Sequence, residues 1–195
     1  MMDKSVAVVI GASGGIGAAL VAALRASGGY RDVVAFSRAS TPPLDITDEA
    51  SLRDAAASLA PAVPLLVIDA TGFLHDAAHR PEKAWRELDP AQMARAFALN
   101  AIGPALLMKH FLPLLPAQGR AVFATLSARV GSIGDNRLGG WYSYRASKAA
   151  LNQFVRTAAI ELARSRPQAI CVALHPGTVA TPLSKPFAKA GLEVR

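Results

Sequence analysis

A chain of 195 residues can bury one sizeable core, and a composition of 52% apolar and 18% charged residues excludes a disordered or low-complexity protein. Lys and Arg number 21 against 14 Asp and Glu, a net charge of +7. The basic residues are scattered, with Arg164 and Arg166, and Lys185 and Lys189, as the densest groups and no interleaved aromatics, which argues against a nucleic-acid partner.

Residues 5–10, SVAVVI, form a β-branched run ending at glycine, the signature of a buried strand. Residues 16–25, IGAALVAALR, have helical periodicity. The uncharged stretch 6–24 superficially resembles a signal or membrane-spanning segment. Gly11, Gly14, Gly15 and Gly17 interrupt its middle, so strand, turn and helix are expected instead, in a cytoplasmic chain without a membrane partner. DVVAF (32–36) reads as a second strand, and 47–60 as a helix capped by Thr47 with acids in its first turn. PLLVID (64–69) reads as a third strand, followed by one long helix from Pro90 to about Leu112 that opens on Asp89-Pro90. A fourth strand spans 119–127, a long helix 144–164, and a fifth strand 168–177, ending in a loop. Fully apolar strands alternating with helices predict an α/β fold, a doubly wound parallel sheet of Rossmann type, in a single domain 1–195. Ligands of such sheets bind at the carboxyl ends of the strands.

The loop GASGGIG (11–17) joins the first strand to the first helix. Gly11 permits the tight turn, Gly15 lets the backbone approach a pyrophosphate, and Gly17 lets the helix pack close to the sheet. The amides at the helix start, among Ser13, Gly14 and Ile16, then hold phosphate. At the end of the second strand stand Ser37 and Arg38, with no acid. A hydroxyl and a guanidinium suit a 2′-phosphate, so the cofactor is read as NADP(H) rather than NAD. The alternative is a solvated Arg38 with no ligand.

Cys171 is the single cysteine and sits in the apolar run AICVAL, which excludes an intrachain disulfide and suggests a buried strand residue. His75 and His79 have spacing that could share a helix face, but no further ligand lies near them, so no metal is expected. Tyr144 opens the last long helix, with Tyr142 two residues before it, and Lys148 follows Tyr144 by four residues, on the same face. An ammonium beside a phenol favours phenolate and should lower the Tyr144 pKa from about 10, fitting it for proton transfer in carbonyl–alcohol chemistry. Tyr142 has no such neighbour and reads as packing or, with Trp141, as substrate wall.

The glycine pattern Gly11, Gly15, Gly17 and the Tyr144–Lys148 pair resemble the fingerprints of the short-chain dehydrogenase/reductase superfamily. The stretch SARVGSIGDNRLGGWYSYRASKAALN (127–152) resembles its C-factor-like carbonyl reductase branch, and the resemblance runs from about Val6 to the end of the chain. It implies that Tyr144 is the general acid for carbonyl reduction and that Lys148 lowers its pKa and holds the nicotinamide ribose. It implies that Ser127 bonds the substrate oxygen and that Asn100 holds a water linking Lys148 to solvent. Ser127 could instead cap a strand end and Asn100 bond backbone; Ser132 is a rival for Ser127. By the same resemblance, Asp45 and Ile46 lie beside the adenine, Ala70, Thr71 and Gly72 beside the cofactor, and Pro176, Gly177, Val179 and Thr181 in the loop that meets the carboxamide. A small carbonyl substrate and a homodimer or homotetramer pairing the two long helices are also implied.

Four departures from the family stand out. Ile10 replaces the usual Thr, and Asp69 stands where an Asn is expected, adding negative charge near the cofactor. The segment from Ser127 to Tyr144 is longer than usual for the superfamily. The lid, helix and last strand that family members carry after TPLSKPFAKAGLEVR are missing, which should leave 169–174 an uncovered edge. That difference supports an alternative of another class: a non-catalytic NADP-binding or cell-signalling protein on the same fold.

Overall fold

The structure, a computed structural model, describes residues 5–187. Lys189 of the basic pair, and the last residues of the family resemblance, lie outside them. Five strands, β1 (Ser5–Ile10), β2 (Asp32–Phe36), β3 (Val63–Asp69), β4 (Ala121–Leu126) and β5 (Ala169–Leu174), form one parallel sheet in the order β2-β1-β3-β4-β5. The helices are α1 (Gly15–Ser27), α2 (Glu49–Ala57), α3 (Pro90–Phe97), α4 (Gly103–Phe111) and α5 (Tyr142–Ser165).

Strand β1 explains why the apolar runs are unbroken. Side chains alternate between faces, and both faces of β1 are covered. Val6, Val8 and Ile10 pack into a core with Leu52, Leu107, Phe111 and Leu151, while Ala7 and Val9 pack with Val21 of α1 on the other side. Burying each large member of this core contributes about 1.5–3 kcal/mol. The register aligns Ile10 with Asp69 and Asp69 with Thr125, so the carboxyl ends of the three central strands share one edge. The strand order reverses between β1 and β3, which is where a ligand crevice opens in such sheets.

Two local expectations are corrected. Helix α2 is capped by Asp48, whose carboxylate accepts the Ala50 amide, and not by Thr47. Thr47 is instead drawn back to Asp45, which accepts both its amide and its hydroxyl. The helix expected from Pro90 to Leu112 is helical throughout but widens into a π-turn at Ala98–Ile102. Pro104 has no N–H to give the Asn100 carbonyl four residues back, so a regular ladder is broken there. By length and mean hydropathy (1.2) the stretch Pro90–Leu114 could cross a membrane. In the fold its Leu107 and Phe111 are core residues. Strand β5 is the sheet edge among the described residues, with Ile170 and Leu174 exposed.

Candidate active site at the carboxyl edge of the sheet

The glycine loop is tied to both neighbouring strands. The Gly11 and Ala12 amides donate to the Phe36 carbonyl, each at 3.0 Å, and the Ala70 amide donates to the Ile10 carbonyl at 2.9 Å. Gly11 has φ 79°, a left-handed turn open to glycine, and a Cβ on Gly17 would lie 2.2 Å from the Gly11 carbonyl oxygen. Gly14 precedes α1 and donates to Gly11, Ser13 is exposed, and Ile16 is half-buried in the first turn. No side chain caps α1, so its first-turn amides have no side-chain partner.

These contacts bring the expected cofactor residues together. A Cβ on Gly11 would sit 3.0 Å from the Ala70 carbonyl carbon, and one on Gly15 would sit 2.8 Å from Thr181 Cγ2. The loop carrying Pro176, Gly177 and Val179 therefore folds back onto the glycine turn. It is braced there by Ser184, whose Oγ bonds the Val179 carbonyl and accepts the Thr181 amide. Ser37 turns the chain after β2, its hydroxyl accepting the Ala39 amide. Arg38 is exposed and makes no hydrogen bond or ion pair among the described residues. Its charge, after the two Thr47 bonds, helps hold the Asp45 carboxyl below its ordinary range. Ile46 is buried in the core, so any adenine contact falls to its main chain.

Helix α5 carries Tyr144 and Lys148 one turn apart. Lys148 is buried, and its Nζ donates to the Leu126 carbonyl at 2.8 Å. A Cβ on Gly72 would be 3.9 Å from both Lys148 Nζ and Asn100 Oδ1, which groups these three residues. The Asn100 carboxamide is fully engaged: Oδ1 accepts the Phe73 amide at 2.7 Å, and Nδ2 donates to the Phe73 carbonyl and to Ser147 Oγ. Asp69 is fully buried and accepts the Thr71 amide, the Thr71 hydroxyl and the Thr125 hydroxyl.

The electrostatics reverse the expected effect on Tyr144. Burial pushes its phenol up to about 12, and Lys148 is not among the causes. Burial also lowers Lys148 to about 8, with the Asp69 charge holding it up in part. The lysine thus answers to Leu126 and Asp69 more than to the phenol. Ser127 sits at the end of β4 with its hydroxyl donating to Asn152 Oδ1 at 2.7 Å. Ser132 is exposed and accepts the Asp135 amide at 3.3 Å. His75 and His79 lie in a loop, not on a helix; His75 Nε2 meets the Leu183 carbonyl and His79 Nδ1 meets Asp76. Cys171 is buried in β5, and burial raises its thiol to about 11.

Beyond the expected wall at Trp141, two features were not read from the sequence: the left-handed backbone at Trp141 and the distant contact of Glu82. Trp141 has φ 54°, following Gly139 and Gly140 at φ 64° each, and its ring packs edge-to-face on Tyr144 and on Phe187. The Gly-Gly pair was the available signal for that left-handed entry. Glu82, a buried residue from the loop before α3, bonds the first turn of α5. Nothing local in the sequence ties it there.

A family model described as Enoyl-(Acyl carrier protein) reductase matches residues 11–193. C-signal of Myxococcus xanthus is 42% identical over 103 residues, 52% of this chain and 60% of that protein. The 1-hydroxy-2-glutathionyl-2-methyl-3-butene dehydrogenase of Rhodococcus sp. (strain AD45) is 33% identical over 161 residues, covering 80% of this chain and 66% of the relative. The chain thus spans less than two thirds of the length of either relative. The NADPH-bound carbonyl reductase from chicken fatty liver superposes with a TM-score of 0.82 at 28% identity, covering all of this chain (100%) and 82% of the other. A Burkholderia multivorans short-chain dehydrogenase/reductase with bound NADP gives a TM-score of 0.83 at 28% identity, over 95% and 84% of the two chains. The glycine turn, the Tyr144–Lys148 helix and these likenesses together show that the chain belongs to the short-chain dehydrogenase/reductase superfamily, in its C-factor-like branch.

Proposed function

We propose that the chain is an NADP(H)-dependent oxidoreductase that reduces the carbonyl of a small aldehyde, ketone or quinone to the alcohol, with Tyr144 as proton donor. The observation that carries this reading is the placement of Lys148, one turn after Tyr144 and beside Gly72 and Asn100, at the edge where all five strands end. The NADPH-bound chicken carbonyl reductase supports the cofactor and the reaction class.

The residues fit a dinucleotide. Gly15 and Gly17 let α1 pack against Thr181 and the Gly11 carbonyl with no side chain at its start, and α1 presents uncapped amides. Arg38, with no hydrogen bond among the described residues, stands exposed at the end of β2, where a 2′-phosphate would meet it. Bound NADPH supplies the hydride. The remaining work falls to side chains. A phenol held near 12 is protonated at every physiological pH, so Tyr144 is poised to give its proton to the substrate oxygen. The Lys148 ammonium, one turn away, stabilises the phenolate left behind. Ser127 turns its hydroxyl from Asn152 toward the substrate oxygen. With the Asn100 carboxamide engaged, any water between Lys148 and solvent rests on the Asn100 main chain, at the π-turn that Pro104 opens. Trp141 and Phe187 wall the approach to Tyr144.

The likeness to C-signal favours a second reading, a signalling or non-catalytic NADP-binding role. The homo-oligomer also stands as a proposal, with the apolar groove of Met108, Leu112, Phe154 and Ala158 between α4 and α5 as the paired face, checked by sedimentation. Side-by-side fluorescence titration with NADPH and NADH tests the central proposal. Tight binding of NADPH alone supports it, equal affinities contradict the Arg38 role, and binding of neither contradicts the dinucleotide site.

A further inference from the structure

Helix α5 runs for 24 residues, yet it lacks the usual means of starting a helix. Its N-cap is Trp141, which has no capping side chain, and its first turn holds no acid. Trp141 is also left-handed, a conformation that costs a non-glycine residue about 1–2 kcal/mol. First-turn amides need partners from elsewhere, and one residue supplies partners for two backbone amides there. The Glu82 carbonyl accepts the Trp141 amide at 2.5 Å, one carboxylate oxygen accepts the Ser143 amide at 3.2 Å, and the other accepts the Ser143 hydroxyl. Glu82 is only 2% exposed and lies 61 residues before Ser143. A buried carboxylate at a helix N-terminus meets both the open amides and the positive end of the helix. Gly140 leaves room for it, since a Cβ there would lie 3.3 Å from the Glu82 carbonyl oxygen.

We propose that Glu82 is a positioning residue that caps α5 from across the fold and fixes the strained turn from which Tyr144 projects. The proposal rests on the reading of Tyr144 as proton donor. Glu82 touches neither substrate nor cofactor in this account; it acts by holding Trp141 and Ser143, the residues that flank the start of the Tyr144 turn.

The test compares wild type with Glu82→Ala, Glu82→Gln, Ser143→Ala and Tyr144→Phe. Each is followed by NADPH-dependent turnover of a carbonyl panel, by NADPH titration and by amide hydrogen exchange over 141–147. Glu82→Ala should speed exchange in that segment about tenfold and lower kcat about tenfold, while KM and the NADPH Kd stay within about twofold. Glu82→Gln keeps an acceptor for Ser143 and should recover most of kcat, a rescue that a general loss of stability would not give. Glu82→Ala and Ser143→Ala should be non-additive. If Glu82→Ala does not fold, Ser143→Ala and Glu82→Gln carry the same comparison. Unchanged exchange in every folded variant, or faster exchange with full kcat, would overturn the proposal. Full turnover in Tyr144→Phe would overturn the functional reading instead, and the exchange arm alone would then decide whether Glu82 holds the turn.

Discussion

Thr125 donates its hydroxyl to the Asp69 carboxylate at 2.6 Å, across the β3–β4 pair, where both residues are fully buried. The other Asp69 oxygen accepts from Thr71, so the extra negative charge is held inside the sheet by three donors. Its electrostatic reach is to Lys148, whose ammonium it favours against burial. Asp69→Asn keeps an oxygen for Thr71, and the Thr125 hydroxyl can accept in place of donating. The stability loss should therefore be about 1 kcal/mol. The pH profile is the sharper readout. Lys148 loses its proton as pH rises through about 8, so carbonyl reduction that needs the ammonium should fall above that pH. Removing the Asp69 charge lowers the Lys148 pKa further, and the alkaline limb should move to lower pH. A limb that stays put would separate Asp69 from Lys148 function.

Arg38 stands exposed after β2, with its charge near Asp45 but no hydrogen bond or ion pair among the described residues. Arg38→Asp should weaken NADPH binding by at least about tenfold and leave NADH binding nearly unchanged, because a charged contact to a phosphate contributes about 1.5–3 kcal/mol. Titrating both nucleotides against the variant checks this; equal losses would remove the 2′-phosphate role.

Gly17 allows α1 to approach the Gly11 carbonyl more closely than any side chain permits. Gly17→Ala forces turn and helix apart, at a cost of about 1–3 kcal/mol. Thermal unfolding should show a lower Tm, and NADPH affinity should drop with it. A variant of wild-type stability and affinity would refute the close-packed turn.

The single thiol offers a check on β5. Cys171 is buried against Met108 and its thiol is raised to about 11, so little thiolate exists at neutral pH. Alkylation of the native chain should be far slower than after denaturation. Equal rates would mean that β5 is not seated on β4 as described.

The fold was largely legible because its strongest signals are local. The glycine turn follows an apolar strand directly, and β1, buried on both faces, leaves an unbroken apolar run in the sequence. Elements that depend on one distant or competing partner were not legible. Asp48 rather than Thr47 caps α2 because Asp45 draws Thr47 away, a competition invisible to a capping rule. The π-turn could have been suspected from Pro104, one helical turn after Asn100, yet periodicity reads straight through it. The Tyr144–Lys148 spacing placed both residues on one helix face, but spacing carries no information on burial, which sets the ionisation of both. Ser127 fell at the strand end as expected, while its Asn152 partner on α5 needed the tertiary fold to appear.

The central claim, that Tyr144 is the proton donor of an NADPH-dependent carbonyl reductase, is tested most directly by comparing wild type with Tyr144→Phe. NADPH oxidation would be followed with a panel of aldehydes, ketones and quinones, and NADPH affinity measured in parallel. Wild type should turn over at least one carbonyl, and Tyr144→Phe should lose about 100-fold or more of that rate with cofactor affinity nearly intact. Equal turnover by both proteins, or NADPH binding without turnover of any carbonyl by wild type, would contradict it and bring the non-catalytic reading forward.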